Sequence, residues 1–235
     1  MSLILCIETG TDVCSVAVAK DGELISLRES AQGRDHASKV GLYVQELLEE
    51  LEIEPKDLDG VAVGMGPGSY TGLRIGVSFA KGLCYALDKP LIAVESLSML
   101  TELAIQSLET QATEVENWEN ATLCPMIDAR RMEVYTQIYD SRGVAQDTLS
   151  AMVIDESSFA KYRTAEQPFI IYGNGAAKCC EALPWATLID IAPSAAGLAV
   201  LAQRKLDNHQ IEDVAYFEPL YLKDFVVTTS KKRLF

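Results

Sequence analysis

The turn after the first apolar run carries side chains suited to binding phosphate and a divalent cation. It contains Glu8, Thr9, Gly10 and Thr11, and the apolar residues before it predict a β-strand. Hydroxyl groups and a glycine let phosphate oxygens approach, and a carboxylate can order the water around Mg²⁺. A second carboxylate, Asp128, follows a later apolar run, but two arginines and no glycine come after it. The alternative interpretation is that both segments are ordinary turns with solvated charges.

A glycine-rich segment, residues 66–76 with the sequence GPGSYTGLRIG, is the most unusual part of the chain. It is neither a dinucleotide-binding fingerprint nor a P-loop, because both the G-x-G-x-x-G spacing and a Gly-Lys-Ser/Thr are missing. A glycine turn that enters a helix can bind an anion through its backbone N–H groups. The alternative is a tight turn that requires positive φ and has no ligand.

The helix predicted after this turn has small residues at intervals of four, namely Gly72, Gly76, Ala80 and Cys84. Glycine inside a helix costs on the order of 1 kcal/mol relative to alanine, so two glycines on one stripe indicate close approach of another backbone. The approaching element is either the chain's own sheet or a helix of another chain. An earlier helical pattern over residues 37–51 adds a broad apolar row. The predicted interface comprises Val40, Tyr43, Val44, Leu47, Tyr70, Gly72, Leu73, Gly76, Phe79 and Ala80.

Composition and charge exclude several classes of protein. The chain has 235 residues and a formal net charge of −14, which argues against broad binding of a phosphate backbone by this chain alone. The two histidines, His36 and His209, form no metal-binding cluster, and we expect His36 at the surface or an interface. No apolar run is long enough for a membrane span, and the N-terminus lacks the pattern of a signal peptide. Six cysteines without a C-x-x-C pair predict buried, reduced thiols in a cytoplasmic protein.

The order of the predicted elements indicates how these residues are positioned. Residues 3–94 predict β-β-β-α-β-α-β, and residues 123–206 predict the same order followed by a further helix. The helices of the second half are predicted at residues 156–162, 176–182 and 194–206.

A duplicated β-β-β-α-β-α-β unit is the plan of the actin, sugar kinase and heat-shock ATPase group, in which nucleotide lies between the two halves. The sequence therefore predicts an α/β, two-lobed actin-like fold, also called ASKHA or ribonuclease H-like. The predicted lobes are residues 1–100 and residues 101–235, with the C-terminal tail packing back on the first lobe.

The glycine-rich segment also carries a resemblance to a known family. The segment at residues 66–76, LCIET at residues 5–9, DARRMEVY at residues 128–135 and PLYLK at residues 219–223 resemble the TsaB family, also called YeaZ. Members of this family are partner subunits in the bacterial synthesis of threonylcarbamoyladenosine (t6A) in tRNA. The matching stretches occur in the right order and span nearly the whole chain.

The resemblance implies a non-catalytic scaffold and dimerisation subunit that is required for t6A modification of adenosine 37. It implies a heterodimer with the catalytic homologue TsaD, the ATPase TsaE as a further partner, and tRNA bound only through the complex. TsaD carries paired histidines on its first helix, whereas the corresponding helix here has His36 alone. The expected cofactors are none in this chain and no metal, with ATP or ADP and Mg²⁺ entering in the complex.

Other interpretations belong to different classes of protein. Without its partner, the interface could pair with itself as a homodimer, because a two-fold contact requires only self-complementarity. An autonomous ATP-dependent small-molecule kinase of the same fold would need a glycine-rich second phosphate turn, which residues 128–131 lack. A peptidase or a chaperone-type binding module has no supporting residues.

Overall fold

Two β-sheets and four α-helices form the framework of the part of the chain that the structure describes. The computed structural model describes residues 1–30, 35–164 and 166–223. The strands are β1 (Leu3–Glu8), β2 (Cys14–Lys20), β3 (Glu23–Ser30), β4 (Gly60–Gly66), β5 (Leu91–Glu95), β6 (Thr122–Asp128), β7 (Glu133–Thr136), β8 (Tyr139–Asp140), β9 (Ser150–Val153), β10 (Phe169–Tyr172) and β11 (Thr187–Leu188). The helices are α1 (His36–Glu50), α2 (Tyr70–Leu87), α3 (Ser96–Glu109) and α4 (Leu198–Asp207).

The two sheets have the same strand order, which confirms the duplicated α/β fold. The first sheet runs β3-β2-β1-β4-β5 and the second runs β9-β7-β6-β10-β11, with β8 also paired to β6. In the first sheet, β1 is antiparallel to β2 and parallel to β4. In the second sheet, β6 is likewise antiparallel to β7 and parallel to β10. The hairpin of β2 and β3 turns at Asp21 and Gly22, whose φ angles of 52° and 84° are left-handed.

Alternation along β1 divides the apolar residues between two cores. Leu5 and Ile7 belong to a core on the outer face of the first sheet, which α1 and α2 cover. Ile4 and Cys6 point the other way, into a core that lies between the two sheets and includes residues of α3 and α4. Because β1 is covered on both faces, all its residues before Glu8 are apolar, as is typical of a central strand.

The second lobe has fewer regular helices than the sequence pattern predicts. The helices predicted at residues 156–162 and 176–182 are wrong, because only the 3-10 turns Ala160–Tyr162 and Ala177–Cys179 form there. Phe159 has a φ of 59° and its ring lies 5.3 Å from that of Phe169, so packing on the sheet replaces helix propagation. Segments this short gain little from helix formation in any case, because the first turn is costly.

The end of the described chain returns to the first lobe. Helix α4 contacts β1 and β5, and the backbone N–H of Glu212 donates to the oxygen of Leu91 at 2.9 Å. Phe217 is buried in the outer core of the first sheet. Residues 224–235, with the basic run at residues 231–233, lie outside the described residues. The lobe boundary near residue 100 stays a prediction.

Within the described residues, no helix combines the length and apolar character that crossing a bilayer requires.

Candidate functional site

A cleft of about 480 Å³ lies between the two lobes and is the candidate site. Its first-lobe wall is formed by the turn after β1 and the turn before α2. Its second-lobe wall is formed by the turn after β6, with Asn174, and residues 220–223 complete the lining. Of the five residues predicted to bind nucleotide, Gly10, Thr11 and Asp128 line this cleft, whereas Glu8 and Thr9 do not.

Glu8 braces its own turn instead of facing the cleft. Its side chain is fully buried, one carboxylate oxygen accepts the N–H of Gly10 at 2.5 Å, and the other accepts the hydroxyl of Ser96 at 3.4 Å. Burial raises the pKa of Glu8 from 4.5 to about 7. A Cβ atom at Gly64 would lie 1.9 Å from Glu8 Oε2, so glycine provides the space for this carboxylate. The prediction that Glu8 orders water around Mg²⁺ is therefore wrong for this arrangement.

The glycine stripe of α2 packs against the same turn. The Thr9 hydroxyl donates to the carbonyl oxygen of Gly72 at 2.8 Å. A Cβ at Gly72 would lie 2.0 Å from the Thr9 carbonyl oxygen, and one at Gly76 would lie 2.3 Å from Thr9 Oγ1. The stripe therefore does allow a close approach, but the approaching element is the chain's own turn. The prediction that these glycines make room for a helix of another chain is wrong.

Further contacts fix the entrance of α2. Ser69 caps the helix, because its hydroxyl accepts the N–H of Gly72 at 3.3 Å. The backbone N–H of Ser69 donates to the Gly10 oxygen at 2.6 Å, and a Cβ at Gly68 would lie 2.2 Å from that oxygen. The peptide bond between Gly66 and Pro67 is cis.

His36 supports the turn from the other side. It is 5% exposed, and its Nε2 lies 2.8 Å from the Thr11 carbonyl oxygen. His36 was expected at the surface or an interface, and the surface position is wrong, because the ring is buried at the start of α1 against the turn after β1. A lone histidine at the start of a helix does not indicate from sequence that it will contact the backbone of a distant turn.

Most of the predicted interface residues are buried by the chain itself. Val40, Val44, Leu47 and Ala80 are at most 6% exposed and belong to the outer core of the first sheet, and Leu73, 1% exposed, packs against Gly10 and Gly66. Their apolar spacing marks the inner faces of α1 and α2. The prediction that these residues contact another chain is therefore wrong. Tyr43, Tyr70 and Phe79 are partly exposed, and their place in an interface stays a prediction.

The outer faces of α1 and α2 carry residues that the sequence pattern did not single out. Leu42 is 49% exposed and Tyr85 is 86% exposed. A Cβ at Gly82 would meet no atom within 4 Å, so this glycine has no packing role within the described chain. Gly41 faces the Phe79 ring, which joins the two helices. The sequence signal for these exposed apolar residues is that Leu42 and Tyr85 interrupt the otherwise polar side of each helix.

In the second-lobe wall, the carboxylate of Asp128 bonds with residues of the same lobe. Asp128 Oδ1 accepts the backbone N–H of Arg130 at 3.2 Å and forms an ion pair with Lys178. The N–H of Asp128 donates to the side-chain oxygen of Asn174 at 3.1 Å. Among the described residues, no group of three or more histidine, cysteine, aspartate or glutamate side chains is arranged to hold a metal ion. Asp12 and Asp128 are the two carboxylates that line the cleft, and binding of a nucleotide by this chain stays a prediction.

Residues 220–223 cross the cleft from one lobe to the other. The N–H of Leu220 donates to the Met65 oxygen at 2.8 Å, which extends the first lobe. The rings of Tyr221 and Tyr70 are 4.9 Å apart, with Arg74 over the Tyr70 ring. At the second lobe, Lys223 forms an ion pair with Glu133 and lies over the ring of Tyr135. This strap reduces the space that a ligand could occupy between the lobes.

Comparison with known proteins places the chain in a family. The family model described as TsaD, tRNA N6-adenosine threonylcarbamoyltransferase, matches residues 28–231. The TsaB protein of Bacillus subtilis, named for tRNA threonylcarbamoyladenosine biosynthesis, is 35% identical over 136 residues, which are 58% of this chain and 54% of that protein. The tRNA N6-adenosine threonylcarbamoyltransferase of Fusobacterium nucleatum is 38% identical over 111 residues, 40% of this chain and 33% of that enzyme. The matched part of the chain spans about half the length of the TsaB relative.

The fold gives the same assignment. The structure of YeaZ from Pseudomonas aeruginosa matches with a TM-score of 0.75 and 25% identity, over 94% of this chain and all of that one. The two sheets of the structure and this match establish the two-lobed actin-like fold. The chain therefore belongs to the family that the TsaD model describes and, within it, to the TsaB (YeaZ) family.

Proposed function

We propose that this chain is a non-catalytic scaffold subunit in the cytoplasmic synthesis of threonylcarbamoyladenosine at adenosine 37 of tRNA. The observation that carries the proposal is the match to relatives named for this pathway, in sequence with TsaB of B. subtilis and in fold with YeaZ of P. aeruginosa. The proposed partners are a TsaD subunit, which supplies the catalytic site, and TsaE.

The geometry of the cleft supports the non-catalytic part of this proposal. Glu8 is buried and bonded to Gly10, and Asp128 is paired with Lys178. The carboxylate of Glu8 does not line the cleft, and that of Asp128, which does line it, is neutralised by Lys178. ATP or ADP and Mg²⁺ are therefore proposed to act only in the complex. No feature of the site favours the alternative of a small-molecule kinase.

The outer faces of α1 and α2 are the proposed surface for TsaD. They carry the exposed apolar side chains of Leu42 on α1 and Tyr85 on α2, and Tyr43 and Phe79 of the same helices are partly exposed. This chain and the TsaD relatives match one family model, so the two subunits share a fold and could pair about a pseudo-two-fold axis. Without TsaD, the same surface would form the homodimer.

The test reconstitutes the chain with TsaD, TsaE and tRNA of the same organism and measures t6A by mass spectrometry. We expect modification only when this chain is present, and no turnover of ATP with sugars by the chain alone. Equal formation of t6A by TsaD, TsaE and tRNA in the absence of this chain would contradict the proposal.

The surface is tested with Tyr85→Glu, which places a charge in the proposed interface. We expect association with TsaD to weaken more than tenfold, because an unpaired charge is costly to bury. Leu188→Glu is the control, since Leu188 is 45% exposed on β11 of the other lobe. A stable contact of this kind buries about 1,200–2,000 Å², so its loss is visible by light scattering. Equal association of both variants would place the TsaD contact elsewhere.

A further inference from the structure

The turn between β6 and β7 has a backbone that its residues disfavour. Arg130 and Arg131 have φ angles of 75° and 52°, so two consecutive arginines are left-handed. This region is uncommon for side chains other than glycine, asparagine and aspartate. Residues 130–132 form the loop, because the N–H of Ala129 donates to the oxygen of Glu133, and hairpin positions with positive φ prefer glycine, asparagine or aspartate. The chain follows that preference in the hairpin of β2 and β3, where Asp21 and Gly22 take φ angles of 52° and 84°. Strained residues that persist are typical of functional sites.

The two guanidinium groups are available to a ligand. Both side chains are exposed, and neither forms an ion pair with a carboxylate of the described residues. The nearby cations Lys178 and Lys223 are already paired, with Asp128 and Glu133 respectively. This turn therefore carries an excess of positive charge in a chain whose formal net charge is −14.

The position of the turn indicates the size of the ligand. Arg130 lines the cleft, whereas Arg131 does not. The strap at residues 220–223 crosses the space behind them. A ligand that contacts both arginines must therefore lie largely outside the cleft, as a macromolecule would.

We propose that Arg130 and Arg131 contact the phosphodiester backbone of tRNA when this chain is part of its complex. The proposal rests on the function proposed above, and it assigns a tRNA contact to a subunit without catalytic residues. Guanidinium presents a planar fork of N–H donors that matches two phosphate oxygens, and it stays charged at all physiological pH values. Two arginines at a hairpin tip can span neighbouring phosphates.

The test replaces the pair by the residues that the turn prefers, Arg130→Asn with Arg131→Gly. We expect the melting temperature of the chain to rise by about 2–4 °C, because the left-handed backbone is relieved. We expect tRNA binding by the reconstituted complex to weaken, and the slope of log K against log salt to fall by about 1.4–1.8 in magnitude, as two phosphate contacts are lost. A purely structural role would raise the melting temperature and leave the slope unchanged.

The matched control removes two positive charges elsewhere, by Arg142→Asn with Lys161→Gln. Both side chains are exposed in other turns of the second lobe, so tRNA affinity and slope should stay near those of the wild type. Equal salt slopes for the two double variants would overturn the tRNA contact. Failure of the Asn-Gly variant to assemble with the protein partners in the absence of tRNA would also overturn it and assign the pair to a protein contact. If the wild-type complex forms no t6A, the proposed function fails, and this contact fails with it.

Discussion

The packing of α2 against the turn after β1 can be tested with two glycines of the same helix. A Cβ at Gly76 would lie 2.3 Å from Thr9 Oγ1, whereas one at Gly82 would meet nothing within 4 Å. Both positions are inside α2, so alanine brings each the same gain in helix propensity, about 1 kcal/mol. The difference between Gly76→Ala and Gly82→Ala therefore isolates the steric effect of the added methyl group.

The expected magnitudes follow from these distances. Overpacking of a well-filled site costs about 1–3 kcal/mol, and the propensity gain offsets about 1 kcal/mol of it. We expect Gly82→Ala to stabilise the chain by about 1 kcal/mol, and Gly76→Ala to be less stable than Gly82→Ala by about 1–3 kcal/mol. Urea unfolding measures the difference, provided that both variants unfold with the same dependence on urea.

A second substitution makes the test specific to the contact. Thr9→Ala removes Oγ1 and leaves the Cβ of residue 9 at 3.4 Å from the methyl group of Gly76→Ala, an ordinary contact distance. In the Thr9→Ala background, Gly76→Ala should therefore lose most of its cost, which gives a favourable coupling of about 1–3 kcal/mol. If Gly76→Ala is as stable as Gly82→Ala, or if the coupling is absent, the close packing of α2 on this turn is refuted.

Three further predictions concern charge and metal. Glu8 has a pKa of about 7 in the folded chain against 4.5 in the unfolded one, so the folded state binds the proton more tightly and stability falls as the pH rises from about 4.5 to about 7. Urea titrations should show the wild type losing about 3 kcal/mol more than Glu8→Gln over that range, and parallel profiles would contradict the burial of this carboxylate. At about 150 mM salt the isolated chain should bind tRNA more weakly than micromolar in a filter-binding assay, because its formal net charge is −14, and submicromolar binding would contradict this. Elemental analysis after dialysis should find less than one equivalent of zinc or iron per chain, and a stoichiometric metal would overturn the interpretation of the two histidines.

Local sequence signals predicted the first lobe well. The helix predicted after the glycine-rich turn is α2, because Ser69 is a good N-cap and the apolar spacing is helical throughout. The strand order of the first sheet follows from the Asp21-Gly22 hairpin and from the continuous apolar character of β4.

The candidate site was harder to predict, because its chemistry depends on residues far apart in the sequence. Glu8 looks like a ligand in its own turn, and only the approach of Gly64 and Ser96 shows that it is buried. The pairing of Asp128 with Lys178 joins residues on different elements. The spacing of small residues along α2 is visible in the sequence. That spacing does not show which backbone packs against the glycines.

The contacts of the first lobe explain what the glycines of the motif do in this fold. Gly68 and Gly76 bring the entrance and the middle of α2 against the turn after β1, at the backbone of Gly10 and the side chain of Thr9. In a nucleotide-binding turn the space beside such glycines is kept for the ligand. Here the chain's own atoms lie beside Gly68 and Gly76, so these two glycines fix the position of α2 on the turn after β1. The position of α2 in turn sets where its outer face lies, so the motif acts on the surface that we propose for a partner through packing and not through direct contact.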